Sequence, residues 1–271
     1  MKKLALVAAI STLAIGSQLA FAAPDWGKVP KRDVNVFHAG ISTLEWVVKK
    51  SEHSGSTGLR KGETCIGCHE EKGTLNVDLK RLASKDLEPA GAPKTMMFPV
   101  TVQAAYDAAN LYVRLSFKAP SGGANHDDKD NEVKATMLFA EASAAKANQV
   151  GCWLSCHGDA RTMPGADDKK TKYSKDGNYQ LVQWASGGKV SDGSVSGERK
   201  MTGGTTGVKA EGGKSGDGYT VTFTMKNPGE GKAIPFGVAI HSDRAAGRFH
   251  HVSLGYMLGI GAEGEIKAAK Q

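Results

Sequence analysis

Leu111-Tyr112-Val113-Arg114-Leu115-Ser116-Phe117 alternates apolar and polar residues along its length. Successive side chains of an extended chain point to opposite faces, so this run predicts a strand with one face buried. Ala109-Asn110 just before it reads as a turn. Moving outward, Val133–Phe139, Tyr179–Trp184, Tyr219–Met225, Phe236–His241 and Val252–Leu258 are further strand candidates. Strands at this density, split by Gly, Asn and Asp, predict a mainly β chain folded as an antiparallel sandwich or barrel. Before about Phe98 the pattern differs. Residues 23–95 read as irregular with short helices, one of them over Ser42–Lys50. Ala140–Val150 reads as a short helix. Residues 186–218 are rich in Gly, Ser, Thr and Lys and bury little apolar surface, which predicts a mobile loop or a long irregular hairpin.

The first residues have a different character. Lys2 and Lys3 precede an uncharged, mostly apolar run from Leu4 to Ile15, and Ala20-Phe21-Ala22 fits a small-x-small cleavage site. This is the pattern of a secretory signal over residues 1–22, and the run is too short to span a bilayer comfortably. A periplasmic protein with no membrane span after cleavage is therefore expected. The formal charge of +7 falls to about +5 without Lys2 and Lys3. That modest excess reads first as ordinary solubility and, more sharply, as docking to an acidic redox partner, and the lack of a dense Lys/Arg tract argues against nucleic acid.

Four cysteines in an exported chain would ordinarily suggest two disulfides. Their spacing suggests otherwise. Cys65-Ile66-Gly67-Cys68-His69 is C-x-x-C-H, the pattern for covalent haem attachment. The two thiols add across the porphyrin vinyl groups, and His69 becomes the proximal iron ligand. A redox dithiol would not need the adjoining His, and a zinc site would need further ligands. Cys152-Trp153-Leu154-Ser155-Cys156-His157 repeats the Cys-His ending with one more residue between the thiols. Its competing reading is a Cys152–Cys156 disulfide. Taken as a second attachment site with His157 proximal, it brings the expectation to two haem c groups. The division is then 1–22 signal peptide, 23–95 N-terminal segment with the first haem, and 96–271 β-domain with the second.

Each iron still has a sixth position. A His or Met there favours electron transfer, whereas an open position permits catalysis or gas binding. His53 lies in a Ser/Gly stretch twelve residues before Cys65, and His38 precedes the expected helix at 42–50; either could serve the first haem. His241, His250 and His251 border the C-terminal apolar runs, and strand alternation lets at most one of His250 and His251 face a given haem. Met137 is a thioether candidate on an apolar strand. His126, in a polar loop, is not expected to be a ligand.

Three segments carry a family resemblance. One runs from Glu45-Trp46 through His53-Ser54-Gly55 to Gly62-Glu63-Thr64-Cys65. Another is Gly151–Arg161. The last combines Pro235–His241 with Arg248–Tyr256. Together they resemble the bacterial c-type relatives of the haem-binding subunit of ethylbenzene dehydrogenase and dimethylsulfide dehydrogenase. The resemblance implies an antiparallel β-sandwich with haem near one end, and electron carriage in anaerobic respiration. It implies as partners a quinol-linked donor or a molybdenum reductase or dehydrogenase. In those subunits a single non-covalent haem b is held by a Met and a Lys; Met137 resembles the Met position, and His250 or His251 falls near the Lys. The covalent motifs depart from that pattern. The expected role is an electron carrier, not itself an enzyme. A haem enzyme or gas sensor with an open iron is the alternative, with Asp159-Ala160-Arg161 the nearest hint of acid/base groups.

Overall fold

The computed structural model describes residues 23–38, 47–48, 50–51, 53–71, 74–78, 93–122, 125–141, 143–144, 146–156, 173–175, 177–247 and 249–271. The signal, most of the expected helix at 42–50, and residues 157–172 with His157 lie outside them.

The alternating run at 111–117 forms β5 (Asn110–Phe117). It pairs antiparallel with β4 (Met97–Tyr106) on one side and β11 (Gly218–Lys226) on the other; β10 (Lys209–Ser215) completes this layer. The opposite layer runs β12 (Lys232–His241), β6 (Lys134–Ala140), β7 (Tyr179–Ala185), β8 (Val190–Val195) and β9 (Arg199–Lys200). Between the layers, Val113 and Leu115 of β5 and Val221 and Phe223 of β11 pack in one core with Met137, Phe139, Val182 and Val238. The fold is an antiparallel β-sandwich.

Two short bridges join the layers along one edge. β1 (Arg32–His38) pairs with the first half of β4 and with β13 (His251–Ser253), which pairs with β12. Past them, β14 (Tyr256–Ile260) pairs with β12, and β15 (Ile266–Lys270) runs parallel to β14 and to the end of β4. The hairpin β2 (Glu70–Glu71) and β3 (Thr74–Leu75) stands apart from the sheet. Helices are short among the described residues: α1 (Ser56–Arg60), α2 (Cys65–His69), α3 (Ala147–Val150) and α4 (Cys152–Ser155).

Three expectations change. Residues 186–218 are not a loop; they supply β8, which lies between β7 and β9 with alternate residues buried, and the edge strands β9 and β10, which need only one partner and little apolar surface. Residues 140–150 split, with Ala140 ending β6 and only Ala147–Val150 helical. The run 252–258 breaks at Leu254-Gly255 into β13 and β14.

Candidate functional site

The first Cys-His motif is the single helical turn α2. Thr64 caps it, its hydroxyl accepting from the Gly67 N–H at 3.1 Å. Cys65 is buried beside Leu59, Leu75, Phe37 and Val252, and burial pushes its thiol up to about 12. Cys68 is exposed, with its sulfur 3.9 Å from Glu63 Oε2. One residue past His69, the Glu70 carboxylate, 5% exposed, pairs with Arg32 of β1 at 2.7 Å. That pair pins the turn to the sheet.

His69 Nδ1 lies 2.7 Å from the Asn76 carbonyl. A carbonyl only accepts, so Nδ1 carries the proton and Nε2 presents its lone pair. His53 is tied in the same way, with Nδ1 2.9 Å from the Val47 carbonyl. The two ring centres are 5.9 Å apart and the planes 28° from parallel. His53, Leu59, Thr64, Cys65, Cys68 and His69 line a cavity of about 430 Å³.

The second motif follows α3 through Gly151, whose φ of 94° is a conformation that side chains disfavour. A Cβ there would lie 2.4 Å from the Gly255 nitrogen, and one on Gly255 would lie 2.5 Å from Gly151 Cα. Two bare backbones therefore meet where α4 docks on the β13–β14 turn. Cys152 and Cys156 are buried against Leu138, Ala140, Tyr179 and Leu181. Burial pushes the Cys156 thiol up to about 12 and raises Cys152 as well. Ser155 donates to the Gly151 carbonyl at 2.8 Å and accepts from the Tyr179 hydroxyl at 3.1 Å. No disulfide bond joins any of the four cysteines in this structure.

The two motifs are neighbours. Val150 and Leu154 share one apolar cluster with Cys65 and Leu59. Gln149 Nε2 donates to the carbonyls of Leu59 at 2.7 Å and Glu63 at 3.1 Å, tying α3 to the first motif's loop.

Strand alternation sorts the remaining candidates. In β12, Val238 and Ile240 enter the inter-sheet core, so Ala239 and His241 lie on the outer face; Ala239 packs in the cluster that holds Cys65 and Leu154. His250 joins His241 there, with ring centres 5.1 Å apart. His241 Nε2 contacts the Gly247 carbonyl at 3.1 Å, which leaves Nδ1 enclosed without a partner. The residue keeps a solvent-facing edge, yet burial of its ring, with Lys134 adding, pushes the pKa down to about 3. His38 and His251 fall on the inner side, 6.0 Å apart, with His251 against Phe98. His250 and His251 thus diverge, as alternation requires. Met137 lies on the opposite face of β6 from the residues that pack with the second motif. It is fully buried between the sheets, while Leu138 and Ala140 face Cys152 and Cys156.

His251 has a measurable consequence. It is fully buried, its Nε2 is 2.6 Å from the Thr95 carbonyl, and burial lowers its pKa to about 4. Above pH 6.5 both the folded and unfolded chains hold it neutral. Below that the unfolded chain takes up a proton the fold refuses until about pH 4. Stability is therefore expected to fall by about 3 kcal/mol over that window. His241, lowered to about 3, adds a slope of the same sign, so denaturation midpoints across pH 4–7 should fall less steeply in His251→Gln than in the wild type; an identical slope in both would refute it.

Gln149, Gly151, Gly255 and the Arg32–Glu70 pair position the motifs but were not singled out in the sequence. The available signal was a glycine directly before Cys152, and another inside an apolar strand run, each a mark of close backbone approach.

Residues 23–233 match the family model described as ethylbenzene dehydrogenase. The chain belongs to the ethylbenzene dehydrogenase family. Two relatives align over the length of this member. Cytochrome c-551 of Rhodocyclus tenuis is 47% identical over 253 residues, covering 92% of this chain and 100% of the relative. Cytochrome c-552 of Stutzerimonas stutzeri is 47% identical over 292 residues, covering 100% of both. Among solved structures, a family 9 carbohydrate-binding module from Caldicellulosiruptor kristjanssonii in complex with cellotriose aligns with a TM-score of 0.33 and 10% identity, over 58% of this chain and 64% of that one.

Proposed function

We propose that this family member is an exported c-type cytochrome with two covalent haems that passes single electrons between partners in anaerobic respiration. One observation carries the reading: His53 and His69 face a cavity that Cys65 and Cys68 also line, with ring centres 5.9 Å apart. Metal–imidazole bonds of about 2 Å would put two rings on opposite sides of one metal with centres about 6 Å apart. The site therefore fits a haem. Cys65 and Cys68 would hold the porphyrin through thioether bonds, His69 would be proximal, and His53 would take the sixth position. A haem bound there supplies a one-electron iron couple.

The protein's own part is to hold geometry. Both imidazoles are tied through Nδ1 to backbone carbonyls, so neither ring turns freely. With His69 and His53 both holding the first haem, that group would offer no open position to substrate or gas, which supports a carrier over an enzyme or sensor. At the second motif, Cys152 and Cys156 would attach the haem and His157 would be proximal. His241 and His250 share its face of the sheet and are the candidates for the sixth position. Packing of both motifs on one apolar cluster suits relay between the two haems.

The names of the two relatives, both c-type cytochromes, support haem c and electron transfer. Residues 1–22 would direct the chain to the periplasm, and no helix of the described residues is long and apolar enough to cross a membrane. A quinol-linked donor and a molybdenum reductase or dehydrogenase are the partners that the family resemblance suggests.

The test is the optical spectrum of the periplasmically matured protein, oxidised and reduced, with and without carbon monoxide, together with a pyridine haemochrome count. Two haems per chain, low-spin bands and no carbon monoxide shift are expected. One haem per chain would remove the second site, and a carbon monoxide shift in the wild type would promote the enzyme or sensor reading.

A further inference from the structure

Between the ends of β5, β6, β11 and β12 lies a cavity of about 740 Å³ that neither Cys-His motif lines. Its size falls within the usual range of small-molecule sites, roughly 300–1,000 Å³. Its floor is the end of the inter-sheet core: Leu111, Phe139 and Met225, all buried. Ile234 and Pro235 continue the apolar wall. Such a surface favours a ligand with an apolar body.

The polar groups around it define the other end of that ligand. Thr206 lines the cavity, and its hydroxyl oxygen is enclosed with no hydrogen-bond partner. Lys226 and Lys232 stand exposed at the mouth, and neither has an ion pair among the described residues. Glu141 is the carboxylate of the lining and opposes them, but the two lysines leave the mouth net positive.

We propose that this cavity is a second binding site, independent of the haems, for a small amphipathic carboxylate. The apolar body lies on Leu111, Phe139 and Met225, and the carboxylate pairs with Lys226 and Lys232. A neutral molecule would leave both lysines unpaired. A cation would have Glu141 alone as partner and two lysines against it.

Decanoate is a suitable probe, titrated by calorimetry into the mature haem-loaded protein. Saturable one-to-one binding is expected, weakened about tenfold or more in the surface double variant Lys226→Glu/Lys232→Glu, the size of effect that loss of a close charge pair produces. Ala233→Trp, at an exposed lining position, should block it by filling the cavity while leaving the haem spectrum unchanged. Decanol and decylamine test the head group and should bind more weakly than decanoate. Absence of saturable decanoate binding, equal affinity in the lysine variant, or tighter binding of decylamine would each overturn the proposal. None of these outcomes depends on haem count or ligation.

Discussion

Replacing His53 by alanine is expected to turn one of two low-spin haems high-spin and open it to carbon monoxide. His53 is held by a 2.9 Å bond from Nδ1 to the Val47 carbonyl, and its ring centre lies 5.9 Å from that of His69. Alanine reaches neither. No other histidine among the described residues lines that cavity, so the sixth position would be left to water or an added ligand. Carbon monoxide uptake should rise from none to about one per chain, while the haem at Cys152 and Cys156 keeps its low-spin bands. Added imidazole should restore the low-spin spectrum, which a merely structural defect would not allow. Gly55→Ala offers a milder version: its new Cβ would lie 2.8 Å from His53 Cε1 and displace the ring. If His53→Ala remains fully low-spin and silent to carbon monoxide, the sixth ligand of the first haem lies elsewhere.

Gly255→Ala should release the second motif from the sheet. The added methyl would sit 2.5 Å from Gly151 Cα and 3.0 Å from the Ala147 carbonyl, backbone atoms that cannot swing aside. Gly151 cannot retreat easily, because it already adopts a φ of 94° to turn α3 into α4. Relief requires α4 to move, and with it Cys152 and Cys156. A loss of about 3 kcal/mol is expected, of the order seen for backbone conflicts in packed interiors. Haem content should drop from two toward one per chain, because misplaced thiols present poorly for attachment. Intact mass and the pyridine haemochrome count would show the missing haem, and denaturation would show the stability loss. Gly213→Ala is the control: a Cβ there meets nothing within 4 Å, so it should behave as wild type. Two haems and unchanged stability in Gly255→Ala would mean that the Gly151–Gly255 contact does not position the second site.

The strands that were legible owe it to a clear face. β5, β6, β7 and β11 each send alternate side chains into the inter-sheet core. β4 was hidden by Pro99, a residue that argues against a central strand; here it sits opposite Asn35 with its face exposed. β15 was hidden by composition. Ile266-Lys267-Ala268-Ala269-Lys270 favours helix by propensity, yet parallel pairing with β14 and β4 makes it a strand. β1 begins with Arg32 and Asp33, and only Val34 and Val36 betray the face that enters the core.

The Cys-His motifs could be found by spacing alone, because covalent attachment needs its thiols and its proximal His close together along the chain. The sixth ligands could not. The five histidines were equivalent as a residue type, and what separates them is place: His53 lies in the loop before α1 beside His69, His241 and His250 lie on the outer face of the sheet, and His38 and His251 on its inner side. One residue of register sends Met137 into the core and Leu138 toward the cysteines. The amino-acid sequence by itself determined the two Cys-His spacings and the β class, since both rest on local pattern. Only the tertiary structure decided that His53 lies beside His69 and that the two motifs lie side by side. Those relations join residues distant along the chain, through the Gly151–Gly255 contact and the Gln149 bridge, and no local pattern encodes them.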